Sequence, residues 1–211
     1  MARIVFLGPP GAGKGTQAAG LSRQLGLPHL STGELLREAA RAGSDLGRRA
    51  DRYMREGLLV PDELVLELLR ERIGHPDARN GFVLDGYPRN REQAETLASI
   101  TPIDHVVFFE LPETELLERL TQRRECPKCR RIYNLSTLPP RIPDRCDDDG
   151  FQLLGRPDDA PEAAHTRLRT YRERTAPLLQ YYADRGLLRS LDASGPPEQV
   201  ARRLNSELGS G

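Results

Sequence analysis

Gly8-Pro-Pro-Gly-Ala-Gly-Lys14-Gly-Thr16 has the composition of a phosphate cradle. Glycines let the backbone curl so that successive N–H groups aim at one anion, and a lysine adds a mobile point charge. An incidental glycine-rich turn would not need this lysine at this distance from the first strand. The residue after Lys14 is Gly15, where the general pattern has Ser or Thr as a ligand for Mg2+. That argues against a GTPase-type site. It leaves Mg2+ to substrate phosphates and water, which its reluctance to dehydrate permits. Asp85 ends the run Phe82-Val83-Leu84-Asp85 and is the carboxylate expected nearest that metal, like the acid of a Walker-B strand. Its plainer reading is a turn residue before Gly86.

A second cluster is Cys126-Pro-Lys-Cys129, then sixteen residues, then Cys146-Asp-Asp-Asp149. Three thiolates and a carboxylate suit a closed tetrahedral Zn2+ site, structural because no coordination position stays open. Asp147 and Asp148 compete with Asp149 for the fourth place. An odd cysteine count in one stretch does not suit a disulfide framework. Lys128, Arg130 and Arg131 would suit a nucleic-acid-binding ribbon, but the four acids at 144–149 oppose it.

Arginines form the third set: Arg37, Arg89, Arg119, Arg123, Arg156 and Arg167. Each alone reads as a surface ion pair. Together they suit phosphoryl transfer, which needs positive charge and positioning more than acid–base help. Arg119 and Arg123 are four residues apart and are expected on one face of a helix over 113–123.

These residues need a frame. Ile4 to Leu7, Leu30, Phe82 to Asp85, His105 to Leu111 and Leu187 to Leu191 read as strands. They alternate with helical patterns at 14–25, 33–42, 45–56, from Pro61, 90–98, 113–123, 161–184 with a bend near Pro177, and 197–208. Ser31-Thr-Gly-Glu34 has capping-box spacing. Such alternation predicts an α/β fold with a parallel sheet covered on both faces and ligands at the strands' carboxyl ends. Residues 125–159 lack helical period and read as an inserted small domain.

The chain has 211 residues, enough for one domain with insertions. Acidic and basic residues balance at 31 each, so bulk charge points to neither nucleic acid nor membrane. Only two of those basic residues are lysines, Lys14 and Lys128, and both fall inside motifs. No apolar run is long enough to span a bilayer, and the start lacks the pattern of a signal peptide, so a cytoplasmic protein is expected.

The phosphate loop, Ser31-Thr-Gly33, Asp85-Gly-Tyr-Pro-Arg89 with Gln93 four residues on, and the arginines of 156–167 together resemble the bacterial adenylate kinases, in order and over essentially the whole chain. The resemblance implies a P-loop core with a five-stranded parallel sheet, made from 1–30, 61–121 and 160–211. It also implies an AMP-binding segment at 31–60 and a small β-rich, zinc-binding lid at 122–159. It implies reversible phosphoryl transfer from MgATP to AMP, giving two ADP, by a monomer serving adenine nucleotide homeostasis. Gly11, Ala12, Gly13, Lys14, Gly15 and Thr16 would cradle ATP, with Arg119, Arg123, Ile132, Tyr133 and the backbone of Gly195 beside it. Thr32, Arg37, Leu58, Leu59, Val60, Gly86, Tyr87, Pro88, Arg89, Gln93, Arg156 and Arg167 would hold AMP, with Gln93 reading the adenine edge. Lys14, Arg89, Arg123, Arg156 and Arg167 would neutralise the transferring group, Asp158 and Asp159 would lie at the lid hinge, and Asp149 would be the fourth zinc ligand.

Overall fold

The computed structural model describes residues 2–209. Its frame is one parallel sheet whose strands are the apolar runs: β1 (Ala2–Leu7), β2 (His29–Ser31), β3 (Gly81–Asp85), β4 (His105–Glu110) and β7 (Leu188–Asp192), in the order β2-β3-β1-β4-β7. Side chains alternate across the sheet. Val5 and Leu7 of β1 face one apolar cluster; Ile4 and Phe6 face the other.

The first cluster packs beneath α2 (Thr32–Arg41), α3 (Asp45–Arg55), α4 (Asp62–Gly74), α5 (Arg91–Ile100) and α8 (Leu178–Ala183), through Leu36, Ala50, Leu69, Leu97 and Leu178. The second packs beneath α1 (Lys14–Leu25), α6 (Glu113–Thr121), α7 (Pro161–Thr170) and α9 (Pro197–Gly209), through Ala18, Leu120, Leu168 and Leu204. A sheet buried on both faces needs continuous apolar strands, which explains why these runs stood out. Ser31 caps α2 by accepting from the Glu34 N–H. The box is not closed reciprocally, because the Glu34 carboxylate instead pairs with Arg37 and Arg41. Pro61 stands one residue ahead of α4, its carbonyl accepting from Leu64 and Val65.

Between α6 and α7 lies the inserted stretch. β5 (Arg123–Glu125) pairs antiparallel with β6 (Ile132–Asn134), and isolated bridges such as Glu125 to Leu154 extend the small sheet. Its core is Cys126, Tyr133, Cys146 and Leu153.

One expectation is corrected by the structure. Arg119 and Arg123 do not share a helix face. The helix ends at Thr121, and Arg123 opens β5 opposite Asn134. Ladder bonds outcompete another helical turn: the Leu135 N–H donates to Gln122, and Glu125 bonds Leu154 in both directions. Further on, the helix over 161–184 bends before Pro177, in a π-helical turn at Tyr171–Thr175. Pro177 has no N–H to return to residue 173, and the Ala176 N–H reaches the Tyr171 carbonyl at 2.9 Å instead.

Candidate active site

β1 delivers the chain into the phosphate loop at the sheet's centre. Gly11 has φ +89°, and a Cβ there would meet the Leu116 carbonyl at 2.9 Å, so the loop can pass over α6 only with glycine. Gly13 precedes α1, and no side chain caps the helix. The first N–H groups of α1 lack intrahelical partners, and with the helix dipole they form an anion seat. Lys14 Nζ donates to the carbonyls of Gly8 at 2.7 Å and Pro9 at 2.8 Å, which hold the ammonium over the loop. Burial pushes its pKa down to about 8, with Asp85 opposing and Arg89, Arg167 and Arg123 adding to the fall.

Asp85 ends β3 beside this loop. Burial alone would raise its carboxyl, but His29, Lys14 and Arg89 more than offset that, and it stays below the usual carboxylate range. A Cβ on Gly15 would lie 3.4 Å from Asp85 Oδ2, so a hydroxyl-bearing residue there would sit against the carboxylate. Glycine keeps that edge clear. One hard oxygen ligand next to a phosphate seat fits Mg2+, which keeps most of its waters.

The cleft around this loop has a volume of about 1390 Å3. That exceeds the usual range for one drug-sized ligand and leaves room for two nucleotides. Lys14, Arg37, Arg89, Arg119, Arg123, Arg156 and Arg167 all line it, brought from five separate stretches of sequence. Acids hold the guanidiniums in place. Asp159, 7% exposed, accepts two bonds from Arg123, at 2.7 and 2.6 Å, and one from Arg167 at 2.6 Å. Asp158 lies 3.1 Å from Arg167 Nη1. Glu125 pairs with Arg156. Even so, positive charge dominates. Burial, then Arg123 and Arg37, pushes Arg156 down to about 10, and burial and neighbouring arginines also lower Arg89 and Arg167.

On one side, Gly11 to Thr16, Arg119, Arg123, Ile132, Tyr133 and Gly195 all line the cleft. Arg119 Nη1 bonds the Ala193 carbonyl at 3.2 Å, tying α6 to the loop that carries Gly195. Tyr133 also serves the small sheet's core, where its hydroxyl accepts from the Asp147 N–H at 2.8 Å. On the other side, Arg37, Leu59, Gly86, Arg89, Arg156 and Arg167 line the cleft. Thr32, Tyr87, Pro88, Val60 and Gln93 lie behind that lining and are buried, and Leu58 is exposed. Gly86, at φ +84°, would put a Cβ 2.8 Å from Thr32 Oγ1 and 3.2 Å from Arg89 Nη2, so glycine leaves room for both side chains to sit against this turn.

Sequence reasoning missed three supports. Glu125 holds Arg156, Thr175 Oγ1 donates to the Arg89 carbonyl at 2.8 Å, and Asp62 accepts from Gln93. All three join residues at least 31 positions apart, and no local pattern marks such partners.

In the inserted stretch, ligand atoms of Cys126, Cys129, Cys146 and Asp149 lie within 4.8 Å of one another. Cys126 Sγ is 3.3 Å from Asp149, and Cys129 Sγ is 3.4 Å from Cys146 Sγ. Zn–S bonds of about 2.3 Å at tetrahedral angles need spacings of this order. Asp147 and Asp148 are engaged elsewhere, with the Arg141 N–H and the Arg131 guanidinium.

A family model described as adenylate kinase matches residues 6–187. The chain is similar to the adenylate kinase of Moorella thermoacetica, 46% identical over 98% of each chain. It is similar to that of Kosmotoga olearia, 42% identical over 97% of this chain and 98% of the relative. A third relative is the adenylate kinase of Archaeoglobus fulgidus, 42% identical over 97% of each.

Proposed function

The chain belongs to the adenylate kinase family of enzymes, which transfer phosphoryl groups reversibly between adenine nucleotides, and on that premise we propose that it passes the γ-phosphoryl of MgATP to AMP, giving two ADP. One observation carries the reading: a lysine and six arginines from separate segments line a single cleft large enough for two nucleotides.

The residues divide the work. The N–H groups of Gly11 to Thr16 and the Lys14 ammonium hold the donor's phosphates, and Arg119, Ile132, Tyr133 and the Gly195 backbone flank its base. Arg37, Arg89, Arg156 and Arg167 hold the acceptor phosphate, with Thr32, Leu58 to Val60, Gly86 to Pro88 and Gln93 around the nucleoside. Lys14, Arg89, Arg123, Arg156 and Arg167 spread positive charge over the phosphoryl group as it moves in line between the two oxygens. Asp85 would stand beside Mg2+, which when bound would screen the donor's phosphates. Segment 31–60 closes on the core, lid 122–159 closes about its hinge at Asp158 and Asp159, and together they exclude water, which would otherwise take the phosphoryl group. Cys126, Cys129, Cys146 and Asp149 would hold Zn2+, which when bound would staple the lid. We place the enzyme in the cytoplasm as a monomer balancing the adenine nucleotide pool. Three unbridged cysteines suit a reducing compartment.

Phosphorus NMR of the purified protein with ATP, Mg2+ and each of AMP, GMP, CMP and UMP tests this. ADP should form quickly with AMP alone. Preference for another monophosphate would refute the acceptor, and ATP binding without transfer to any would refute the enzyme reading.

A further inference from the structure

Gln93 is 3% exposed and its carboxamide is held on both sides. Oε1 accepts from the Arg89 backbone N–H at 2.7 Å. Nε2 donates to Asp62 Oδ1 at 2.7 Å. The other Asp62 oxygen accepts from Asn90 Nδ2 at 2.9 Å, and Asn90 Oδ1 accepts from the Gln93 backbone N–H at 2.8 Å. Every member of this ring has its direction dictated by the next. A backbone N–H can only donate, and a carboxylate can only accept. Turning the Gln93 amide over would put its oxygen against Asp62 and its amino group against the Arg89 N–H. Two hydrogen bonds would become two like-with-like contacts, in a place with little water to relieve them.

We propose that Asp62 is a specificity-determining positioning residue: by fixing the sense of the Gln93 amide, it makes the acceptor site read adenine and reject guanine. The inference rests on the reading of Gln93 as the contact for the acceptor base. A locked amide has one N–H and one oxygen lone pair left to offer. Adenine's Watson–Crick edge answers with a ring-nitrogen acceptor and an exocyclic amino donor. Guanine presents the same two positions with donor and acceptor exchanged. An amide free to rotate by half a turn could serve either base equally well. A carboxamide by itself therefore does not discriminate between purines; the carboxylate behind it, acting with the Arg89 N–H, does. Asp62 touches no substrate in this scheme. It is the first residue of α4, so it also ties the start of that helix to the loop before α5.

The test is kcat/KM for AMP and for GMP, with ATP as donor, in the wild type, Asp62→Ala and Asp62→Asn. Any loss of folded protein scales both rates alike and drops out of their ratio. In Asp62→Ala the AMP-to-GMP ratio should fall at least about tenfold, because the wrong base no longer leaves locked polar groups unpaired. GMP turnover itself should rise, and the KM for ATP should stay as it was. In Asp62→Asn the ratio should fall less, since its carbonyl can still face Gln93 only by turning its amino group onto that of Asn90. Equal loss of AMP and GMP activity in both variants would overturn the inference and leave Asp62 a helix-start residue. A wild type without AMP preference would instead refute the functional reading, and the inference with it.

Discussion

Lys14 shows how one side chain can push stability and binding in opposite directions. Burial lowers its pKa from 10.5 to about 8. Between those values the unfolded chain holds a proton that the native chain has released, so this group's contribution to stability rises with pH across that window. The penalty of the buried ammonium is fully present below about pH 8. ATP affinity should run the other way, because the proposed phosphate seat would lose its point charge as the ammonium titrates. Titration calorimetry should show ATP binding weakening from pH 7 to pH 9, with the trend abolished in Lys14→Arg, which stays charged. A flat profile in the wild type would refute the role. Lys14→Met should lower kcat/KM by on the order of a hundredfold or more, the usual loss when one transition-state donor is removed. Lys14 and the cysteines could be singled out from the sequence because their immediate neighbours mark them. Asp62, Glu125 and Thr175 were not, because each acts on a partner far away in sequence.

Among the elements, the small sheet is the one that the proposed metal would support most. Its four-residue core of Cys126, Tyr133, Cys146 and Leu153 is too small to hold a domain. The purified protein should carry one equivalent of zinc by elemental analysis. Cys129→Ser or a strong chelator should remove it and lower the melting temperature by about 2–8 °C, as a loss of about 1–2 kcal/mol would in a chain of this size. Far-UV circular dichroism should show the main sheet and helices intact. Metal-free protein that melts at the same temperature would exclude a structural site. β1, β3 and β4 were readable as apolar runs because the middle of the sheet is buried on both faces, whereas the edge strands β2 and β7 each bury a single leucine. The end of α6 was not. Gln122-Arg-Arg-Glu125 is good helix sequence, and only pairing with Ile132–Asn134 and Leu154 converts it to a strand. The π-turn at Tyr171–Thr175 also escaped, because widened backbone bonding has no side-chain signature and Pro177 marks only its far end.

At the scale of the molecule, the cleft gathers charges that repel one another. Arg37 and Arg123 both depress Arg156, and Arg123 depresses Arg167. Phosphates relieve that crowding, so two nucleotides together should draw the flanking segments inward more than either does alone. Hydrogen exchange should slow across 31–60 and 122–159 with ATP plus AMP beyond the sum of the single effects. Protection confined to residues 8–16 would disprove closure.

The strand order also shapes how the chain emerges from the ribosome. Translation supplies β1 to β4 first, so four of the five core strands exist once residue 110 is free. The central strand β1 is then already flanked by β3 and β4. The small sheet follows as an excursion from a partly formed scaffold. β7 comes only at 188–192, to close the open edge of β4, and α9 covers α1 last. A nascent chain stalled before that point carries a bare sheet edge and an uncovered apolar face. Chains released early should therefore be aggregation-prone, while the same sequence released whole has both liabilities sealed by its last 25 or so residues.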